Sequence, residues 1–456
     1  METPSCCIMT SWYFEMKHFP ITRKVLAVVM ACASAVIADN PLATPDQKEL
    51  DALAIELNQN YDFVVLKAEA KVAYQTAHGL PISDEAASRL DAAIDELAFS
   101  ALQKAINTDP YYPKAYWVDA GPRSWFGLDV PGGRYSYDNP DCIYRTIPID
   151  DSLSYVIQGY RHTPGPTDVT FSLISDPNSQ NTVAHLSGSD LVIADDGSYT
   201  ITINSSSADG AKNHIQSTSS GTQLFVRNNL GDWQTEKPDN ISVVLVDDAS
   251  GQDPISEAKI ISTARWNLQE SIVDYGVGAL GIKTTINKLN TLNAPTQSST
   301  LGTLTSQASS FGHFKLGDQE ALVATITQGD ADYFVFPWTD PWMITTEPGN
   351  SQVSLNNIQA SVNDNGTYTF VVSLEDPGVY NWINTTGLTE GTAMVRWQGL
   401  SDDATSSSNP PAIVAQVAQL SELKSILPSE TRFVTTEERS QQLSDRRSGY
   451  NQRTAT

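Results

Sequence analysis

Residues 364–399 read DNGTYTFVVSLEDPGVYNWINTTGLTEGTAMVRWQG, and residues 196–233 read DGSYTITINSSSADGAKNHIQSTSSGTQLFVRNNLGDW. Each opens on an Asp/Asn-Gly turn and runs into an alternating strand. Each then passes through an Asn-aromatic-Ile step (Asn213-His214-Ile215, Asn381-Trp382-Ile383) and a Gly-Thr, and ends in a second strand that carries an arginine. Gly197 to Asn213 is sixteen residues and Gly366 to Asn381 fifteen; Asn213 to Arg227 is fourteen and Asn381 to Arg396 fifteen. Spacing held this closely marks one supersecondary unit used twice. The Gly197 and Gly366 turns supply the positive φ that tight hairpins need. The expectation is a mainly β protein with helical additions, built from two jelly-roll-like β-sandwich units related by internal duplication.

Working outward, short alternating runs such as SYVIQGY, DVTFSLI, QLFVRNN, ALVATIT and YFVFPW, separated by turn residues, predict the remaining strands. ISVVLVD at 241–247 reads as a continuous apolar strand. Before them, residues 44–107 are helical: Thr44-Pro45-Asp46-Gln47 is a capping box, followed by the 3.6-residue face Leu50, Leu53, Ala54, Leu57, Tyr61, Val64, Ala68. His78-Gly79-Leu80-Pro81 stops that helix and Ser83-Asp84-Glu85 opens another, the pair covering one side of a sheet. A further helical stretch follows Asp253-Pro254, with another around KTTINKLNTL. The tail reads as an amphipathic helix over ETRFVTTEER and a mobile basic end, SDRRSGYNQR. The expected boundaries are an N-terminal helical segment at 39–110, a first sandwich at 111–250, a helical insert and Ser/Thr-rich connector at 251–310, a second sandwich at 311–400, and a tail at 401–456.

Composition narrows the function classes. The chain of 456 residues carries a formal charge of −25. That opposes nucleic-acid binding, which needs basic patches to replace phosphate counterions, and equally opposes docking on anionic lipid. Lys17, Arg23 and Lys24 precede the apolar run VLAVVMACASAVIA, with small residues before Asp39. This is the order of an export signal over 1–38 and is too short for a membrane span, so a periplasmic or secreted protein is expected. Residues 1–15 read as an over-extended start, since Met16-Lys17 is the more natural one. Lipidation at Cys32 is the alternative. Cys142 is then the one cysteine left after the signal, so neither a disulfide nor a cysteine metal site is expected within the mature chain.

The stretches GGRYSYDNPDCIYRTIPIDDSLSYVIQGY, NHIQ, FVRNNLGDW, SLNNIQASVNDNGTYTFVVSLEDPGVYNWINTTG and MVRWQ resemble the proteins grouped as domain of unknown function 1214, often accompanied by the domain numbered 1254. The resemblance spans about residues 115–447 and is most specific at DPGVYNWINTTG. It implies a jelly-roll-like β-sandwich and brings no agreed activity, so no catalytic residue transfers.

Chemistry-bearing motifs are sparse. Gly276-Val277-Gly278-Ala279-Leu280-Gly281 matches the dinucleotide fingerprint but lacks the preceding strand, and reads as a helix break. The histidines at 18, 78, 162, 185, 214 and 313 show no HxH or HExxH spacing, so neither a metal nor any other cofactor is expected. His214 and His313 lie in motif regions that could meet in space. Asn363-Asp364-Asn365-Gly366 lacks the first and last ligands of a calcium loop and reads as a turn. Arg227 shares a strand face with Phe225, and Arg396 with Met394. An arginine on an apolar face needs a carboxylate or a ligand anion. Asp232 and Asp376 are the candidate partners, and a cleft that binds an acidic group is the functional alternative. Tyr333, Trp338, Trp342 and Trp382, with Trp233 and Tyr144, suggest an aromatic platform for a small-molecule or carbohydrate-like ligand. The candidate ligand-binding set is Arg396, Trp382, Asn381, Asp376, Arg227, His214, Asp232 and Trp233. The expected function is a binding or structural protein with an aromatic-lined cleft; the rival is a hydrolase or lyase using His214, Asp232 and Asp376 as acid/base groups.

Overall fold

The computed structural model describes residues 40–79, 81–401, 404 and 407–455. The expected export signal, with Cys6, Cys7 and Cys32, lies outside them. Three helices lead: α1 (Pro45–Asn60), α2 (Val64–His78) and α3 (Asp84–Ile106). Thr44 and Ser83 cap α1 and α3 through the backbone N–H of Gln47 and Ala86. Gln47 does not complete a capping box, because its amide reaches across to Asp51 and to the Trp117 backbone. The single helix expected up to His78 is instead broken at Tyr61, where the chain turns so that Phe63 enters the core.

The first sandwich comprises β1 (Tyr116–Val118), β4 (Cys142–Pro148), β5 (Tyr155–Tyr160), β6 (Asp168–Ile174), β7 (Thr182–Ser187), β8 (Ser198–Asn204), β9 (His214–Gln216), β10 (Gln223–Asn229) and β11 (Asn240–Leu245), with β2 (Arg123–Trp125) and β3 (Leu128–Val130) forming a separate hairpin after β1. After the insert α4 (Glu257–Ser271) come β12 (Thr291–Leu292), β13 (Thr296–Gln297), β14 (Ala308–Lys315), β15 (Glu320–Thr327), β16 (Tyr333–Thr339), β17 (Ser354–Asn356), β18 (Tyr368–Ser373), β19 (Trp382–Asn384), β20 (Glu390–Gln398) and β21 (Ala412–Gln419). One sheet of the first unit runs β1-β4-β10-β6-β7 and the other β11-β5-β8-β9. In the second unit the orders are β12-β14-β20-β16-β17 and β21-β15-β18-β19, the same orders strand for strand. Both units also share a parallel pair, β8 with β9 and β18 with β19. Gly197 and Gly366 turn at φ 88° and 81° just before β8 and β18, and Asn213 and Asn381 precede β9 and β19. The duplication read in the sequence is the architecture.

Alternation along the strands separates three large cores and a smaller one, where Val323 and Val371 pack with Val379, Leu423 and Leu427. Ile157, Phe171, Ile201, Leu224 and Val226 fill the first sandwich. Phe314, Phe336, Trp338, Phe370, Val395 and Trp397 fill the second. The opposite faces of β10, β14 and β20 send Phe225, Phe311 and Met394 into a third core with the helices, beside Leu97, Leu268, Tyr275 and Trp342. The sheets bearing Arg227 and Arg396 are therefore covered on both sides.

Three local expectations change. The glycine-rich run is no helix break: α4 continues as a π-helix over Ile272–Thr285. A Cβ on Gly276 would lie 2.9 Å from the Tyr74 ring and one on Gly281 3.2 Å from Ala77, so these glycines permit close packing on α2. The segment KTTINKLNTL ends that helix and enters β12 instead of forming one of its own. In the tail, β21 completes a sheet, α5 (Leu423–Ile426) follows, and residues 432–434 are extended because they pair with 378–380. Helix α6 (Thr436–Asn451) starts at a Thr435/Glu438 capping box and includes most of the stretch expected to be mobile, the rest forming a 3-10 turn over Gln452–Thr454. Its basic residues are anchored: Arg446 donates to the carbonyls of Pro348, Ser351 and Ser354 and lies 4.2 Å over the Trp233 ring. Among the described residues no helix is long and apolar enough to cross a membrane.

Because Arg446 joins Trp233 of the first unit to Ser354 of the second, Arg446→Ala leaves three carbonyls without their donor. A loss of about 2–4 kcal/mol is expected. Urea denaturation of the variant against the parent measures it, and a change within about 0.5 kcal/mol would show the strap to be dispensable.

Candidate functional site

Arg227 stands on β10 and Arg396 on β20, the corresponding central strands of the two larger sheets, and both side chains line one cleft. Register explains the placement. Arg227 lies across from Tyr144 on β4 and Thr170 on β6, while Arg396 lies across from Ser309 on β14 and Val335 on β16. Each arginine is thus on the face turned away from its own sandwich core. The rest of the wall comes from the loop Tyr135 to Asp138, from Asp119, Gln180, Phe225, Phe311 and Met394, from Tyr275 and Lys283 of the π-helix, and from Leu301 to Thr303.

Neither arginine has the expected partner. Arg227 donates to Ser172 Oγ at 3.1 Å and to the Gly302 carbonyl at 2.9 Å, and it stacks 4.4 Å from the Phe225 ring. Arg396 donates from Nη2 to the Tyr137 carbonyl, and its buried Nη1 has no hydrogen-bond partner among the described residues. Asp376 is instead held by Arg439 of α6 at 2.8 Å, and Asp232 accepts from Gln234 N and Thr235 Oγ1 in a local turn. Burial lowers the Arg227 pKa, and burial followed by the neighbouring Arg396 lowers that of Lys283. The cleft thus gathers Arg227, Arg396 and Lys283 against Asp119 and Asp138. Asp138 is satisfied by Thr345 N at 2.8 Å and by the Thr345 hydroxyl. Asp119 is pushed up to about 7, mainly by burial and against the pull of Lys104. Lys104 itself lies 4.1 Å over the Tyr135 ring and is pushed down to about 8, again mainly by burial.

Backbone strain collects here. Asp119 (φ 56°), Ser136 (48°), Tyr137 (65°), Gln180 (50°) and Leu301 (51°) all line the cleft in the left-handed region that non-glycine residues avoid. Conformations of this kind cluster at ligand clamps, where surrounding structure over-determines them. The room left is about 60 Å³. That holds about four waters or one carboxylate-sized group, and is less than half of the roughly 150 Å³ that admits a benzene ring.

The other candidate residues are placed elsewhere. Asn381 spends its amide on Ser361 and Thr369. Trp382 is buried, donates to Ser373 and packs under Arg439 at 5.2 Å. Trp382 and Asp376 together form a latch for Arg439 of α6. Tyr333, Trp338 and Trp342 are fully buried, so the aromatic platform is core; the aromatic lining that does exist comes from Tyr135, Tyr137, Tyr144, Tyr275, Phe225 and Phe311. Trp233 donates to Asp141 at 2.9 Å, and with Asp232 it borders a second groove beside Tyr380 and Arg432. His214 is held on β9 by Thr202 Oγ1 and the Ser206 carbonyl, whereas His313 meets His78 and Glu390. Sequence reasoning missed Asp119 and Lys283, which carry no motif, and did not single out the Tyr135 loop, although it lies in the stretch GGRYSYDNPDC that carries the family resemblance.

No protein-family model and no curated protein matches the chain. Among solved structures, an uncharacterised protein from Burkholderia cenocepacia is similar over 82% of this chain and 100% of its own, at 18% identity and a TM-score of 0.64. That likeness concerns the fold alone. A protein from Vibrio parahaemolyticus aligns over 72% of this chain and 99% of its own, at 10% identity and a TM-score of 0.38, too low to support any argument.

The two arginine environments predict opposite responses. Arg439→Met breaks the pair with Asp376 and is expected to cost about 2 kcal/mol. Arg396→Met removes a buried guanidinium that no carboxylate compensates, so unfolding free energy should hold within about 1 kcal/mol or rise. Urea melts of the two variants separate these cases; a loss above about 3 kcal/mol in Arg396→Met would mean a structural latch there too.

Proposed function

We propose that the chain is an exported binding protein for a small organic acid, held in the cleft between the two sandwiches by Arg227 and Arg396. One observation carries this reading: the duplicated arginines converge on a single strained cleft with no hydrogen-bonded carboxylate among the described residues, one of them with an unused buried donor. A guanidinium is suited to a carboxylate because its donors form a planar fork. Lys283 adds charge, and Tyr135, Tyr144 and Tyr275 stay protonated because burial pushes their pKa values well up, leaving hydroxyl donors. The available room favours a carboxylate or similarly small anion over the carbohydrate-like ligand first considered. The resemblance to domain of unknown function 1214 assigns no activity and adds only a proposed kinship.

Calorimetry with acetate, oxalate, malonate and inorganic phosphate tests the reading. Arg227→Gln and Arg396→Gln should each weaken binding about 10–100-fold while leaving the protein folded. Affinity should also fall with pH. Asp119 is neutral below about 7 and negative above it, so a bound anion meets an added negative charge at pH 8. A loss of roughly tenfold between pH 6 and pH 8 is expected, and Asp119→Asn should flatten most of that slope. No binding of any of these anions at millimolar concentration, or binding indifferent to both arginines, would remove the proposal.

A second reading, a hydrolase or lyase, rests on Asp119 and Lys104 in place of His214, Asp232 and Asp376. Groups at about 7 and about 8 are poised for acid/base work near neutrality. Under it the bound acid turns over to a product visible by mass spectrometry, and Asp119→Asn stops turnover while binding persists.

A further inference from the structure

We infer that His78, His313 and Glu390 form a binding site for a divalent transition metal of the zinc type, distinct from the arginine cleft. The three residues are remote in sequence and come from different elements: His78 ends α2, His313 lies within β14, and Glu390 begins β20. One potential ligand atom from each falls within 4.8 Å of the other two. Both imidazoles present Nε2 to the same carboxylate oxygen, Glu390 Oε1, at 2.7 Å from His78 and 2.8 Å from His313. All three residues are buried.

The hydrogen bonds around the trio are those of a prepared ligand set. His78 Nδ1 faces the Gly79 carbonyl at 3.2 Å, an acceptor that suits the tautomer with its proton on Nδ1. In that tautomer the lone pair resides on Nε2 and points at a carboxylate oxygen. That contact is repulsive unless a second proton or a metal ion lies between. Metal-bound histidines have this arrangement, donating the remote N–H to a carbonyl or carboxylate and thereby fixing the tautomer. On Glu390 the outer oxygen, Oε2, is engaged by Ser83 Oγ at 3.1 Å and by Lys315 Nζ at 3.3 Å, which turns Oε1 toward the imidazoles. The backbone is tied as well: Glu390 N donates to Glu85 Oε1 at 3.0 Å, and Glu85 also accepts from Thr389. Trp342, its ring 5.2 Å from that of His78, forms an apolar wall.

Two neutral imidazoles and one carboxylate make a donor set typical of catalytic zinc, with the fourth position left for water. Ligand bonds of about 2.0–2.1 Å in a tetrahedron place donors about 3.3 Å apart, so each imidazole nitrogen would move about half an ångström away from Glu390 Oε1 to admit the ion. The six residues from Glu390 to Arg396 put the site about 20 Å along β20 from the cleft arginine. The ion would pin the end of α2 to the second sandwich.

The test uses the full chain, stripped with a chelator and titrated with Zn²⁺ by calorimetry and with Co²⁺ by visible absorption. The expected result is about one ion per chain, cobalt d–d bands, and a raised melting temperature with Zn²⁺. His78→Gln and His313→Asn should each weaken Zn²⁺ binding about 100-fold or more and abolish the cobalt bands, with circular dichroism confirming that both variants fold. Glu390→Gln gives a third, near-isosteric check should either histidine variant fail to fold. A native chain that stays folded but takes up no stoichiometric Zn²⁺ at about 100 µM overturns the proposal and leaves an imidazolium–carboxylate cluster. Binding that survives unchanged in a folded histidine or Glu390 variant overturns it equally.

Discussion

The carboxylate of Asp141 is the contact on which the arrangement of the two sandwiches depends. It belongs to the first unit and accepts from Trp233 Nε1 at 2.9 Å, but its other oxygen accepts from Tyr333 at 2.6 Å and Asn356 at 2.8 Å, both in the second unit. Burial raises its pKa, with the Tyr333 and Asn356 hydrogen bonds opposing that rise. A buried acceptor of this kind is costly when unpaired and directional when satisfied, so it sets how the two sheets approach one another. The network extends from Asn139 to Asn229, on to Gln398 and then Gln307, where it reaches the cleft wall. Joint and cleft are thus one continuous polar system.

Duplication explains why a cleft of this character exists. An isolated sandwich would turn the outer face of β10 or β20 to water, where an arginine is unremarkable. Here the third core covers both outer faces, so any arginine retained on them must be satisfied in a confined space. Arg227 and Arg396 occupy corresponding strands, and joining the two units through Asp141 brings their faces to one cavity. A pair of convergent cations is therefore a consequence of using one unit twice.

Sequence patterns reported these elements unevenly, for physical reasons. The Asp196-Gly197 and Asn365-Gly366 turns, the alternating strands and the faces of Arg227 and Arg396 were all legible, because each depends on neighbours along the chain. Partners across space were not. Asp376 lies close to Arg396 in sequence yet binds Arg439, the last residue of the stretch that reads as an amphipathic helix, and the basic end that reads as mobile is held where Arg446 lies over Trp233. Alternation shows which face a side chain takes and not what stands opposite, so Trp338 and Trp342 could not be told from a ligand platform. Cluster spacing failed most fully for His78, His313 and Glu390, since residues 312 positions apart leave no local trace.

The charge distribution sets a further constraint on ligand entry. The chain carries −25 overall, whereas the cleft collects Arg227, Arg396 and Lys283. Under the proposed reading, an approaching anion is repelled at long range and attracted only within the cleft. Screening extends over about 10 Å at 0.1 M salt, so added salt suppresses the outer repulsion more than the buried attraction. Association of an anion with such a site should then quicken as ionic strength rises from a low value, the reverse of ordinary electrostatic steering. Under the proposed anion-binding reading, the same geometry favours small anions, because a large polyanion cannot bring its charge past the acidic surface into about 60 Å³.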